Sequence, residues 1–95
     1  MIPPSFVQDL LSRVDIVEVV GRYVQLKKAG INHKGLCPFH GEKTPSFNVN
    51  PDKGFFKCFG CGVGGDVIKF VELRDAVGFA EAVKTLAARF GMAVP

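Results

Sequence analysis

Four side chains able to hold a metal fall in two pairs. Cys37-Pro38-Phe39-His40 is C-x-x-H, Cys58-Phe59-Gly60-Cys61 is C-x-x-C, and seventeen residues separate them. Two ligands two residues apart share one tight turn and aim at one ion. Two such turns at the ends of adjacent strands complete a tetrahedron. The Cys₃His set leaves no open position, so its chemistry is structural: it cannot activate water, but it can staple a fold and be required for folding. Soft thiolates with one imidazole favour zinc over magnesium or calcium. Gly60 and Gly62 admit a tight turn whose N–H groups reach the thiolates. The bland alternative is three buried cysteines and a stray histidine, yet the pattern uses every cysteine of the chain. A redox C-x-x-C leaves the other pair unexplained, and an iron centre needs a reason the sequence does not supply.

Composition agrees with one small stapled domain. Ninety-five residues bury a modest core and often need a metal or disulfides. Three cysteines is an odd number, which argues against a disulfide framework. There is no secretory pattern at the N-terminus and no apolar run long enough for a bilayer. The expectation is a soluble cytoplasmic protein with no membrane partner. The formal net charge of +3 permits an anionic partner without demanding one. Three ionised thiols and one zinc ion reduce it to about +2, so any case for nucleic acid rests on where the charges lie.

The elements that must position the ligands follow from periodicity. Ser5 with Gln8 forms a capping-box pattern for a helix from Phe6 to about Arg13, and Asp15 with Glu18 marks a second, ending at Gly21. The period then changes to two: Val24 and Leu26 alternate with Gln25 and Lys27. Ala29-Gly30 is a turn, and Ile31 to Leu36 is the partner strand. Ser46 to Asn50 alternates again, Asn50 to Gly54 is a turn, and Phe55 to Phe59 returns. This gives four antiparallel strands, with room for a fifth. After the Gly62–Gly65 loop, Asp66 caps a helix to about Arg74, broken by Gly78. Phe79, Val83, Leu86 and Phe90 make the apolar stripe of a last helix ended by Gly91. The fold class is α+β: a zinc ribbon within a small antiparallel sheet, flanked by N-terminal and C-terminal helices. The whole of 1–95 forms one zinc-binding domain, with its ribbon core at about 23–62 and helices at about 6–21 and 66–91.

Alternation also sorts the faces. Lys53, Phe55 and Lys57 share one, Phe56 and Cys58 the other. Phe47 and Val49 point inward, Ser46 and Asn48 outward. Gln25 and Lys27 lie outward, and Lys34 or His33 faces out beside them. Lys43 sits in the loop after the first ligand pair. Lysines beside an unpaired ring suit single-stranded nucleic acid: cations meet phosphates and the ring stacks on a base. The competing reading is a solvated lysine face with Phe55 packed under the C-terminal helices.

The segments DIVEVVGRYVQLKKAG, LCPFHGEKTPSF, FKCFGCGVGGDVIKF and FAEAVKTLAARFGM together resemble the N-terminal zinc-binding domain of bacterial DNA primases of the DnaG type. The resemblance runs from Ile2 to Pro95 with no departure at the ligand positions. It implies zinc ligands at Cys37, His40, Cys58 and Cys61. The string Glu42 to Phe47 matches the family residue for residue. The resemblance favours Lys27, Lys34, Phe55 and Lys57 as template contacts, with Lys43 as a candidate phosphate contact.

Primases of this family make RNA primers on single-stranded DNA during replication. The resemblance therefore implies a template-recognition module that helps select the start site. Its partners would be the single-stranded DNA template, the primase catalytic domain in cis or in trans, and the replicative helicase through a domain absent here. Magnesium is expected only in the catalytic domain. The isolated domain should have no polymerase activity. The alternative is a zinc-ribbon interaction module that docks on the catalytic domain or another replisome component. A free-standing metalloenzyme fits poorly, because the site is closed and no spare carboxylate–histidine cluster is present.

Overall fold

The computed structural model describes residues 2–41 and 43–95. Its elements are α1 (Pro4–Arg13), α2 (Ile16–Gly21), β1 (Lys27–Ala29), β2 (Asn32–Gly35), β3 (Phe47–Asn50), β4 (Phe55–Cys58), β5 (Gly64–Asp66), α3 (Val67–Asp75) and α4 (Phe79–Arg89). The five strands form one antiparallel sheet in chain order. The class is α+β, with helices before and after the sheet.

Helix ends show which local signals act. Asp15 caps α2 by accepting the Val17 N–H at 3.0 Å, and Asp66 caps α3 by accepting that of Lys69 at 2.9 Å. The Ser5 capping box does not form. Pro3 is the N-cap instead, and Pro4 opens α1, where its missing N–H is no loss. Glu18 does not reach back to its cap either; it pairs with Arg22 at 3.0 Å. α3 stops at Ala76, which takes a left-handed φ of 56°, while the Ala76 and Val77 N–H groups both donate to the Glu72 carbonyl. Gly78, expected as the breaker, is the N-cap of α4.

The sheet differs from the pattern at its two edges. Alternation from Val24 to Lys27 holds in burial, but pairing begins only at Lys27. The Tyr23 and Val24 N–H groups are still bonded to the Val20 carbonyl at 3.0 and 2.9 Å, so the chain is finishing its turn off α2. At the other edge the expected glycine loop contains β5. Glycine carries no alternation to betray a strand, yet Gly64 needs its missing Cβ. That atom would lie 2.9 Å from the Phe56 carbonyl oxygen and 3.1 Å from Lys57 Cδ.

The core lies between one sheet face and the helices. Phe47, Val49, Phe56 and Cys58 are fully buried from the sheet. The Phe47 and Phe56 rings stack at 5.4 Å, and Phe70 of α3 meets Phe56 edge-on at 5.7 Å. Phe39 closes the set at 5.6 Å from Phe70, so the loop carrying the first ligand pair is anchored by its own ring. Leu10, Val83, Leu86 and Ala87 join α1 to α4. Phe79, assigned to the α4 stripe, is instead 48% exposed. It stands at the first position of α4, and burial begins a turn later at Ala82.

Candidate metal centre and sheet face

Both ligand pairs sit at one end of the sheet because of register. Gly35, Phe47 and Cys58 are directly paired across β2, β3 and β4. Cys37 leaves β2 two residues after Gly35, and Cys58 is the last residue of β4. The structure brings the ligand atoms of Cys37, His40, Cys58 and Cys61 within 4.8 Å of one another. The Cys37 and Cys61 sulfurs are 3.9 Å apart. A regular tetrahedron with metal–sulfur bonds of about 2.3 Å needs about 3.8 Å. The donor set and spacing therefore fit zinc.

Backbone groups prepare the sulfurs. The Phe39 N–H donates to Cys37 Sγ at 3.4 Å, and Ser46 Oγ lies 3.6 Å from Cys58 Sγ. Gly62 takes φ +83°, but its N–H donates to the Cys58 carbonyl at 2.8 Å rather than to a sulfur as expected. Before metal enters, the two buried thiols diverge. Burial pushes Cys37 up to about 12; the Phe39 N–H opposes this and the Cys58 and Cys61 sulfurs add to it. Burial would raise Cys58 as well, but the Cys61 N–H, the Ser46 hydroxyl and the Gly60 N–H outweigh it and bring it down to about 7. Of these two, Cys58 is thus the nearer to a ready thiolate, while Cys37 gives up its proton only against a metal.

The opposite sheet face carries the lysines. Lys27, Lys34, Asn48, Lys57 and Gly64 form one directly paired row across all five strands. Phe55 lies on the same face, paired with Asn50 and Asp66 and 40% exposed. It is therefore not packed beneath the helices. His33 takes the other parity, between Lys28 and Val49, half-buried. Lys53 falls in the turn before β4, where its N–H donates to Asn50 Oδ1 at 2.9 Å.

The expected contact residues divide into two groups. Lys27, Lys34 and Lys43 line one groove of about 470 Å³ together with Tyr23, Leu36 and Pro45. Phe55 and Lys57 lie outside it. Lys57 is half-buried, and its Nζ donates to the Gly62 carbonyl at 3.0 Å, which ties it to the second ligand turn. Glu42 of the matching string lies outside the described residues. Sequence reasoning missed Tyr23, which is held by Arg74 over its ring at 4.6 Å and by Arg89 donating to its hydroxyl at 3.3 Å. No periodic signal marks a residue just past a helix end. Asn48, expected to point outward, is on the outer face but nearly buried, donating to the Ser46 carbonyl at 3.1 Å. Leu36, 48% exposed, was legible from its shared parity with Lys34.

With this geometry the family is decided by comparison: residues 2–95 match the CHC2 zinc finger family. The chain belongs to that family, the zinc ribbon of DnaG-type primases. It is 58% identical over 95 residues to the DNA primase of Pseudomonas aeruginosa, covering all of this chain and 14% of the relative. It is 52% identical over 94 residues to the DNA primase of Halalkalibacterium halodurans, covering 99% of this chain and 16% of that one. A crystal structure of the Aquifex aeolicus primase, comprising its zinc-binding and RNA polymerase domains, superposes with a TM-score of 0.90 at 48% identity. That match covers 95% of this chain and 22% of the other. The zinc ribbon thus accounts for a small part of the primases it resembles. Among the described residues no helix is long and apolar enough to cross a membrane.

Proposed function

We propose that this zinc ribbon is the template-recognition module of a DNA primase, with Cys37, His40, Cys58 and Cys61 holding one structural zinc ion. The observation that carries the reading is the lysine row on the sheet face opposite the core. Three lysines and the half-exposed Phe55 ring share the sheet face opposite the core, and the ligand turns fix one end of its strands. Such a face suits a single strand of DNA, with ammonium groups on phosphates and Phe55 under a base, a stacking contact worth roughly 1–3 kcal/mol. The domain helps choose where primer synthesis starts. Nucleotidyl transfer and its magnesium belong to the catalytic domain, acting in cis or in trans, and contact with the replicative helicase belongs to a further domain.

A second reading has one observation in its favour. Phe59, at the tip of the second ligand turn, is 73% exposed, which suits docking on a protein partner such as the catalytic domain.

The test is binding of a labelled single-stranded oligonucleotide to the zinc-loaded chain, followed by anisotropy at several salt concentrations. Replacing Lys27 and Lys34 together by Ala should weaken binding at least tenfold. The slope of log affinity against log salt should fall by about 1.4, or about 0.7 per lost phosphate contact. Phe55→Ala should weaken binding without changing the slope. Unchanged affinity in all variants, with primer synthesis by a separate catalytic fragment still stimulated, would move the function to docking.

A further inference from the structure

Resting on that reading, we propose that the groove between the β1–β2 edge and the loop after the first ligand pair is a 5′-triphosphate site. Its ligand would be a free ribonucleoside triphosphate or the 5′ end of a nascent primer.

The first support is charge. Lys27 and Lys34 are direct cross-strand partners on an exposed face. Like charges placed opposite one another destabilise a sheet, so local folding does not explain the pair. Lys43 reaches the same groove from the loop, 9 residues beyond Lys34 in sequence. Among the described residues, none of the three lysines forms an ion pair, and no carboxylate lines the groove. Three ammonium groups around one recess, with no counter-charge among the described residues, match a ligand that concentrates several negative charges in one cluster. A phosphodiester strand delivers only one per nucleotide.

The second support is shape. A strand lying across an open sheet needs no recess, whereas this one, at about 470 Å³, falls within the usual range of small-molecule sites. Its walls are amphipathic. Leu36 and Pro45 offer apolar surface for a base or ribose, and Tyr23 is held in place by Arg74 and Arg89. Lys57 and Phe55, which lie outside the groove, remain available to the template. Lys27 and Lys34 therefore stand between two ligands, the template running along the sheet face toward β4 and the triphosphate in the groove, where both could be held side by side.

The experiment titrates the isotopically labelled, zinc-loaded chain with ATP, ADP and AMP, then with 5′-triphosphorylated and 5′-hydroxyl forms of one RNA dinucleotide. Backbone amide shifts report the site. The expected result is at least tenfold tighter binding of ATP than of AMP, with shifts at Gln25, Lys34, Leu36 and Lys43. Lys34→Gln and Lys43→Gln should abolish the preference, and Lys57→Gln should keep it. Each variant is checked for zinc content and an unchanged amide spectrum elsewhere. Equal preference for ATP and for the triphosphorylated dinucleotide means the groove reads the triphosphate itself; a larger preference for the dinucleotide assigns it to the primer end. Equal binding of ATP and AMP, or shifts confined to the β4 side, overturns the proposal. The oligonucleotide assay separates this from the template reading. Intact DNA binding without triphosphate preference removes only the groove's assignment; triphosphate preference without DNA binding removes only the template reading.

Discussion

The ligand end of the sheet and its lysine face use neighbouring residues of the same strands but opposite physics. At the ligand end, the polar groups around the sulfurs work within the protein. Cys58 receives backbone N–H groups and a serine hydroxyl, Phe39 is both a spacer between ligands and a core ring, and Gly62 closes the turn. Across the face, Lys27 and Lys34 are set against each other with no counter-charge among the described residues. Lys57 lies between these regimes, in the same row but bonded to the Gly62 carbonyl. Features that stabilise the chain are explained from inside the molecule; features that cost stability point to a partner outside it.

Metal removal is the strongest way to break this comparison. Structural zinc supplies apparent binding energies of about 10–16 kcal/mol in zinc-finger peptides, more than a domain this small holds in reserve. Chelation, or Cys58→Ser, should therefore abolish the cooperative thermal transition seen by circular dichroism. A melting curve unchanged by chelator would show that the aromatic core holds the sheet alone.

A smaller effect sharpens the account of the ligands. Within the fold, burial pushes Cys37 up to about 12, so zinc must displace its proton throughout the neutral range. Zinc affinity should therefore fall as pH falls, by at least about tenfold per pH unit. Competition against a chromophoric chelator at about pH 6.5 and about pH 7.5 measures it; equal affinities would mean that the thiols are already ionised before metal arrives.

The smallest effect compares two lysines of one row. Lys57→Gln gives up the bond to Gly62 and should cost about 0.5–1 kcal/mol in denaturant unfolding. Lys34→Gln should be neutral or stabilising by a few tenths, because it relieves the repulsion with Lys27. Equal losses in both variants would show that Lys34 is structurally engaged.

What the sequence determined by itself was what local spacing can encode. Two residues between ligands place both on one turn, so the ligand set was legible before any fold was known. Alternation in β3 and β4 separated Phe47, Val49 and Phe56 from Phe55 and Lys57, because a strand's side chains must point to opposite faces. Asp15 and Asp66 announced their helices because a cap needs only the next turn of backbone.

Where a local signal had a competitor, the sequence misled. Pro4 displaced the Ser5 cap, and the first turn of α4 left Phe79 outside the core. The tertiary structure alone decided the register that aligns Lys27, Lys34, Asn48 and Lys57 across separate strands. It also decided that Lys43 and Tyr23 meet at one groove while Lys57 turns away to Gly62. These pairings join residues far apart in the chain, and no short-range rule carries their geometry. They exist only once the aromatic core and the ligand turns have set how the strands lie against one another.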